Sequence, residues 1–241
     1  MRIFIAGASG AIGRRLTPLL VLVGHEVTGM TRSTAKAGML EAMCARPVVV
    51  DVFDADALTR AVVAARPEIV IHQLTDLPGA PGTPAYAEGQ RRNNRLRRDG
   101  TRNLMAAAEA AGARRVIAQS IAFAYAPGEG ARLESDPLDT AAEGTRALTV
   151  AGVAALEKAV LGTPSIQGTV LRYGYFYGPG TWYDAAPKPP SIHIDAAARA
   201  TLLALECGSS GVYNIAEDDG AVSIAKAQVE LGFDPAMRLE T

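Results

Sequence analysis

The chain has 241 residues, of which 49% are hydrophobic and 20% are charged. This balance excludes a disordered or fibrous chain and favours one large α/β domain with a sizeable core. The net charge of −1 excludes a general electrostatic attraction to nucleic acid or to an anionic membrane. Cys44 and Cys207 lack metal-ligand spacing, so we predict reduced thiols in a cytoplasmic protein and no metal site.

The N-terminal stretch predicts a strand, a glycine turn and a helix. A short apolar run is closed by Gly7, and an amphipathic segment from Ala11 to Leu22 follows it. The three glycines would permit a tight turn, let a pyrophosphate approach the backbone, and allow the helix to pack closely on the strand. We favour this over a merely structural turn. The predicted dinucleotide-binding residues here are Gly7, Ser9, Gly10, Ala11, Ile12 and Gly13.

The second predicted strand, Glu26 to Thr31, informs the choice of cofactor. An acidic residue at the end of this strand would bind the ribose 2′-hydroxyl of NAD, whereas a basic residue accommodates the 2′-phosphate of NADP. The sequence has Thr31, Arg32 and Ser33 and no acid there, so we predict NADP. The alternative is that Arg32 points into solvent and both cofactors are accepted.

Two further short apolar strands, Pro47–Val50 and Glu68–Gln73, are predicted next. Ligands bind beyond the carboxyl ends of parallel strands, so the residues that follow each strand are candidates for the site. They are Asp51 and Val52, which could flank the adenine, and Gln73, Leu74 and Thr75.

Other polar residues in this region have structural interpretations. Asp54 is predicted to cap the next helix, and His72 lies within an apolar run, where a histidine is more often a core residue than a catalytic base. A long helix then carries five arginines and ends at Gly112. Its arginines are interpreted as a solvated face, with binding of an anionic ligand as the alternative; they are Arg91, Arg92, Arg95, Arg97 and Arg98.

Several motifs along the chain together resemble the extended short-chain dehydrogenase/reductase superfamily, in its NAD(P)-dependent epimerase/dehydratase group. They are the glycine turn, Asp51-Val52, Gly100–Leu104, Arg115–Ser120, Leu171–Gly180, Ile192–Asp195, Val212–Ile215 and Leu231–Pro235. The resemblance implies a Rossmann-type, doubly wound parallel sheet. It also implies an NAD(P)-binding domain at 1–172 and a mixed segment at 173–241 that completes the sheet and forms a small, shortened C-terminal substrate lobe.

The chain departs from the family at the expected active site. The family pairs a tyrosine with a lysine four residues later, and a glutamate follows that lysine by four. Here Glu157 fits the glutamate, but counting back gives Val153 and then Thr149. The second serine of the family's serine pair is likewise Ile121, after Ser120. The resemblance therefore implies an atypical member with an absent or altered proton relay.

Replacement chemistry could come from hydroxyl groups near the expected nicotinamide half of the cleft. Our first candidate is Tyr125, oriented by Ser120, and Tyr175 is the next. The cofactor residues on this side are Ser120, Tyr173, Gly174 and Tyr175.

These predictions combine into an NADP-preferring oxidoreductase that acts on a small carbonyl or alcohol substrate with a non-standard proton donor. The alternatives are a redox-inactive NADP-binding sensor or interaction module, and a non-redox isomerase or lyase. Two copies could pair through the arginine-bearing helix and the helix Arg146–Leu161, whose small residues would permit close approach. Those residues are Ala151, Ala154, Ala155 and Ala159.

Overall fold

The computed structural model describes residues 1–77, 83–206 and 209–239. Its strands are β1 (Arg2–Ala6), β2 (Glu26–Thr31), β3 (Arg46–Val49), β4 (Ile69–His72), β5 (Arg115–Ile121), β6 (Gln167–Tyr173), β7 (Tyr175–Tyr177), β8 (Ser191–His193) and β9 (Gly211–Ile215). Its helices are α1 (Ala11–Leu22), α2 (Ala37–Ala42), α3 (Ala55–Ala65), α4 (Pro84–Arg95), α5 (Thr101–Ala110), α6 (Gly144–Leu161), α7 (Ile194–Glu206) and α8 (Ala225–Leu231). A 3₁₀ turn, Thr34–Lys36, precedes α2, and a π-helical segment, Leu96–Gly100, joins α4 to α5.

Seven strands form one parallel sheet in the order β3-β2-β1-β4-β5-β6-β9. The order reverses between β1 and β4, so the crevice at the carboxyl ends of these two strands is the topological switch point at which such sheets bind ligands. This architecture confirms the predicted Rossmann-type, doubly wound sheet. Strands β7 and β8 form a separate parallel pair, joined by the segment 178–190.

Helices cover both faces of the sheet, as the apolar runs of its buried strands require. On one face α1, α7 and α8 enclose a core that includes Leu16 and Leu20. On the other face α3, α5 and α6 enclose a core around Phe4, Leu58 and Val160. Burial of each such side chain contributes roughly 2 kcal/mol.

Several helix boundaries follow the predicted signals. The Asp54 carboxylate accepts a hydrogen bond from the Ala57 N–H at 2.9 Å, so Asp54 caps α3. Gly24 and Gly112, just beyond α1 and α5, have positive φ angles of 84° and 70°, which suits a helix C-terminus.

Asp195 is the second residue of α7, where its carboxylate pairs with Arg15 at 3.3 Å. The ring Nδ1 of His193 accepts a hydrogen bond from the Asp195 N–H at 3.2 Å. Ser223 lies just before α8 and accepts from the Ala225 N–H at 3.4 Å, although Ile224 occupies the capping position.

The long helices proposed for dimerisation lie side by side, since α4 and the π-helical segment pack against α6. Pairing of two copies through them stays a prediction. Of the helices in the described parts of the chain, not one combines the length and apolar composition that a bilayer crossing requires. Cys44 is exposed and carries a free thiol, and Cys207 lies outside the described residues.

Candidate functional site

Two adjoining cavities open at the switch point of the sheet. The first, of about 180 Å³, lies over the ends of β1, β2 and β4. The second, of about 310 Å³, lies between the glycine turn, α4 and the residues that follow β6. Both cavities are lined by Gly10, Gln73 and Thr75, so they form two halves of one cleft.

The glycine turn is held close to the neighbouring backbone. Gly7 has a φ of 94°, and a Cβ there would lie 2.5 Å from the carbonyl oxygen of Gln73. A Cβ at Gly13 would overlap the carbonyl oxygens of Gly7 and Ala8. Gly13 lines neither cavity, so it acts by close packing of α1 rather than by direct contact.

The start of α1 suits an anionic ligand. The capping residue Gly10 is extended and offers no side-chain cap, and the first turn carries no acidic residue. The first N–H groups of a helix have no intrahelical acceptor, and Ala11 and Ile12 line the second cavity. These residues fit the diphosphate of a dinucleotide, with which the donors and the positive end of the helix dipole are complementary.

One end of the first cavity is basic. It is lined by Thr31, Arg32 and Ser33, as predicted, and also by Lys36. The Arg32 side chain is 61% exposed and pairs with Asp76 at 3.1 Å, which raises the pKa of its guanidinium. Lys36 was missed, although its position four residues after Arg32 in a turn could have placed both cations on one surface.

Another part of the first cavity is largely apolar. The predicted Asp51, Val52 and Leu74 line it. Phe53, Met30 and Leu96 complete it, and none of the three was predicted. This part of the cavity has the apolar character that an adenine ring would cover.

Aromatic side chains dominate the second cavity. Phe123 and Tyr175 stack with their ring centroids 3.9 Å apart, and Tyr86 meets Trp182 edge to face at 5.8 Å. The predicted Tyr173, Gly174 and Tyr175 line this cavity. One helical stripe on α4 and the π-helical segment also lines it. Sequence reasoning missed Tyr86, Gln90 and Asn93 of this stripe, whereas Arg97 is one of the arginines for which an anionic ligand was the alternative interpretation.

Comparison with known proteins places the chain in a family. Residues 7–177 match the family model for NAD(P)H-binding proteins. A 3-diazoavenalumate denitrifying reductase from a Streptomyces species is 40% identical over 92% of this chain and 77% of its own length. A dTDP-4-dehydrorhamnose reductase from Streptomyces griseus is 30% identical over 74% of this chain and 51% of its own length.

The chain belongs to the NAD(P)H-binding family. Its fold is that of the extended short-chain dehydrogenase/reductases. It superposes on UDP-glucose 4-epimerase from Thermotoga maritima with a TM-score of 0.81 at 18% identity, covering 99% of this chain and 94% of that one. For DesIV, a dTDP-glucose 4,6-dehydratase from Streptomyces venezuelae with NAD bound, the TM-score is 0.77 at 19% identity, with 99% and 93% covered. The family and its reductase member indicate an NAD(P)-binding protein with an oxidoreductase-type function.

The positions expected for the family's tyrosine and lysine lie on α6. Thr149 lines the second cavity, and its hydroxyl donates to the carbonyl oxygen of Thr145, one turn earlier, at 3.2 Å. Val153 is fully buried in a small apolar cluster with Ile121 and Val150. Lys158 is exposed at the other side of the helix. None of these three side chains supplies a phenol or an ammonium group to the cavity.

Ser120 does not contribute to the cleft, which corrects its prediction as a catalytic and cofactor residue. Because alternate residues of a strand point to opposite faces, Gln119 and Ile121 line the second cavity while Ser120 points to α6. There its hydroxyl donates to Glu157 at 2.7 Å. Glu157 also accepts two hydrogen bonds from Arg172, at 2.9 and 2.7 Å, within the core.

Tyr125, predicted as the proton donor, likewise lies outside the cleft. Its hydroxyl donates to the side-chain oxygen of Asn214 at 2.6 Å, and its ring packs under the Arg172 guanidinium at 4.7 Å. Tyr125 is 5% exposed and is not among the cavity residues. Burial raises its pKa, so this phenol serves as a structural hydrogen-bond donor.

Tyr175 is the predicted catalytic residue that does line the cavity. Burial raises the pKa of its phenol, which therefore stays protonated near neutral pH. Neighbouring Tyr173 backs the same wall, but its hydroxyl is bonded to Thr201 at 2.7 Å, and burial raises its pKa to about 12. Tyr175 is thus placed to donate a hydrogen bond, and the Nζ of Lys188 lies 4.9 Å from the centroid of its ring.

Proposed function

We propose that the protein is an NADPH-dependent reductase of a small aromatic compound. The observation that carries this proposal is the shared boundary of the two cavities at Gly10, Gln73 and Thr75. Because of it, a cofactor bound over the glycine turn would be open to a compound held by the aromatic walls. Reduced nicotinamide, when bound, supplies a hydride, and the chain's own residues bind and orient both ligands.

The preference for NADPH is supported by charge at the end of β2. Arg32, Ser33 and Lys36 line the first cavity, and the end of β2 carries Thr31 rather than the acidic residue that would bind a ribose diol. Two cations and a hydroxyl suit a 2′-phosphate. The existing pairing of Arg32 with Asp76 does not consume this capacity, since the guanidinium has five N–H donors.

The kind of acceptor is suggested by two positions on α6. Carbonyl reduction needs a proton for the developing alkoxide, and Thr149 and Val153 replace the tyrosine–lysine pair that the family resemblance leads us to expect for that step, so the Tyr175 phenol faces the cavity without that pair. The Streptomyces relative is named for a diazo compound and for denitrification. At an aryl diazonium carbon the C–N bond breaks, dinitrogen leaves with its bonding electrons, and the hydride forms the new C–H bond. That exchange balances without any proton, so it suits this cavity.

The test is NADPH oxidation with matched acceptors, 4-carboxybenzenediazonium and 4-carboxybenzaldehyde, each corrected for the rate without protein. We expect the protein to accelerate reduction of the diazonium and not of the aldehyde. Reduction of the aldehyde alone would retain a reductase but overturn the diazo assignment. Tight NADPH binding with no oxidation of either kind would favour the alternative, a redox-inactive binding module, which the missing phenol and ammonium groups also support.

A further inference from the structure

Arg97 differs from every other arginine on its helix. Arg91, Arg92 and Arg98 are exposed and pair with Glu88, Asp76 and Asp99, respectively. Arg97 is only 8% exposed, faces the second cavity, and donates no hydrogen bond to any described residue. Burial lowers the pKa of its guanidinium to about 10, so the group remains a cation at neutral pH.

No carboxylate in the described part of the chain forms an ion pair with this cation, although the charge of Glu157 acts on it from beyond ion-pair distance. Glu157 is fully engaged by Arg172 and Ser120, and Asp76 is engaged by Arg32 and Arg92. His72, close behind the cavity, is neutral, because burial and then the charge of Arg97 lower its pKa to about 4. An uncompensated buried cation is costly for the folded state. It is therefore the kind of group that a ligand is expected to pair.

Asn93, one helical turn earlier, presents a second unused donor beside Arg97. Its side-chain oxygen accepts a hydrogen bond from the Asp76 N–H at 3.0 Å, which fixes the orientation of the amide. The amide Nδ2 consequently points the other way, and it is buried with no hydrogen-bond partner. Asn93 is 1% exposed and lines the same cavity as Arg97.

Neighbouring helix α6 makes room for this arrangement. A Cβ at Gly152 would overlap the side-chain oxygen of Asn94 and would lie 3.4 Å from the Cδ of Arg97. The absence of that Cβ lets the π-helical segment approach α6, so the arginine stem is packed while its guanidinium remains at the cavity. A π-helical turn inside an α-helix frequently marks a functional position.

We propose that the second cavity selects an aromatic carboxylate, whose carboxylate group accepts hydrogen bonds from the Arg97 guanidinium and the Asn93 amide. The aromatic part would lie among Tyr86, Phe123 and Tyr175. This inference rests on the proposed function, because it specifies the substrate class of the same cavity. Both donors are buried, and charge-assisted hydrogen bonds in such a site are stronger than bonds between neutral groups.

The preference for a carboxylate can be tested on the wild-type protein. Binding of cinnamate and of its neutral methyl ester is measured by calorimetry with saturating NADP⁺. We expect cinnamate to bind at least about 10-fold more tightly, as one charged hydrogen bond implies. Equal affinities, or no binding of either probe, would overturn the inference.

Two variants locate the effect, and a third serves as the control. Arg97→Gln and Asn93→Asp should each weaken cinnamate binding about 10-fold to 100-fold; the aspartate keeps the acceptor for Asp76 but loses the donor. Arg98→Gln, on the exposed face, should leave binding unchanged. If Arg97→Gln does not fold, Asn93→Asp and the ester comparison still decide.

The affinity for NADP⁺, measured in the same samples, separates this inference from the proposed function. Wild-type protein that fails to bind NADP⁺ would contradict the proposed function. Normal NADP⁺ binding without a preference for cinnamate over its ester would overturn only the carboxylate assignment. If Arg97→Gln loses affinity for NADP⁺ but still binds cinnamate, the guanidinium contacts the cofactor. That result would also overturn the carboxylate assignment.

Discussion

The two halves of the cleft are built in different ways. The first cavity is built around a glycine turn, a helix start and the residues that follow neighbouring strands of the sheet. The second is shaped by side chains from α4, α6 and the residues around β7, which are distant in sequence. A binding site built on a glycine turn depends on a few glycines at fixed spacing. A binding site lined by side chains can change its chemistry when single residues are substituted. The sequence has the same contrast, since the glycine turn keeps the spacing of the family that the chain resembles while Thr149 and Val153 stand where its tyrosine and lysine are expected.

The largest effect is expected from a substitution in the glycine turn. Gly13→Val would force a Cβ, and the two methyl groups that it carries, into the space beside the carbonyl oxygens of Gly7 and Ala8, so α1 could not pack closely on β1. We expect NADPH binding to be lost and the free energy of unfolding to fall by roughly 3 kcal/mol or more. The measurements are NADPH fluorescence and urea unfolding. Gly38→Ala, at an exposed position with open space, is the control; an unaffected Gly13→Val would refute the packing role.

Glu157→Ala tests whether the buried ion pair behind the second cavity stabilises the folded protein. It would leave Arg172 as an uncompensated charge in the core and remove the acceptor of Ser120. Loss of one partner of a buried ion pair costs about 3–5 kcal/mol. Equilibrium unfolding should show that loss, whereas Glu88→Ala, in an exposed pair, should change stability by less than about 1 kcal/mol. Similar values for both variants would contradict a structural role for Glu157.

A pH dependence should arise from His72, which is buried at the end of β4. Burial lowers its pKa to about 4 in the folded protein, against about 6.5 in the unfolded chain. Between these values the unfolded chain binds a proton that the folded chain does not. Stability is therefore complete above pH 6.5 and falls as the pH drops towards 4, by about 3 kcal/mol in total. The free energy of unfolding, measured across this pH range, should fall as the pH is lowered, and His72→Gln should remove most of this pH dependence. An unchanged pH dependence in the variant would show that other groups cause it.

Cofactor preference should respond to the basic end of the first cavity. Arg32→Ser should weaken NADPH about tenfold and leave NADH nearly unchanged, because only the 2′-phosphate loses a partner. Dissociation constants for both cofactors measure this. Arg91→Ser is the matched control, since Arg91 is exposed on α4 and pairs with Glu88. Equal weakening of NADPH and NADH would show that Arg32 does not read the phosphate.

The smallest effects separate the two candidate tyrosines. Tyr125→Phe should cost about 1 kcal/mol of stability through the lost bond to Asn214 and should leave turnover unchanged. Tyr175→Phe should leave stability unchanged and weaken substrate binding by less than about tenfold, since its phenol faces the cavity. Turnover and thermal unfolding of both variants give the comparison. A turnover defect confined to Tyr125→Phe would reinstate Tyr125 as the donor.

The sequence supported the fold and the first cavity because their signals are local. The glycine spacing and the residues after each strand predicted Gly7, Thr31, Asp51 and Gln73 at one edge of the sheet. It could not separate Arg97 from its four neighbours, since the π-helical turn decides which arginine faces inwards. Ser120 and Tyr125 failed for a similar reason. Their partners, Glu157 and Asn214, are 37 and 89 residues away, so no local pattern revealed that the hydroxyls were already committed.

Hydride transfer within the cleft is tested most directly by following one deuterium atom from the cofactor to the product. NADPH carrying deuterium on one face of C4 is incubated with 4-carboxybenzenediazonium and the protein, and benzoate is analysed by mass spectrometry and NMR. We predict that deuterium replaces dinitrogen at the ring carbon, that it comes from a single face of C4, and that Gly13→Val abolishes this selectivity. Benzoate that takes its hydrogen from solvent, or equally from both faces, would contradict a reductase that transfers hydride within this cleft.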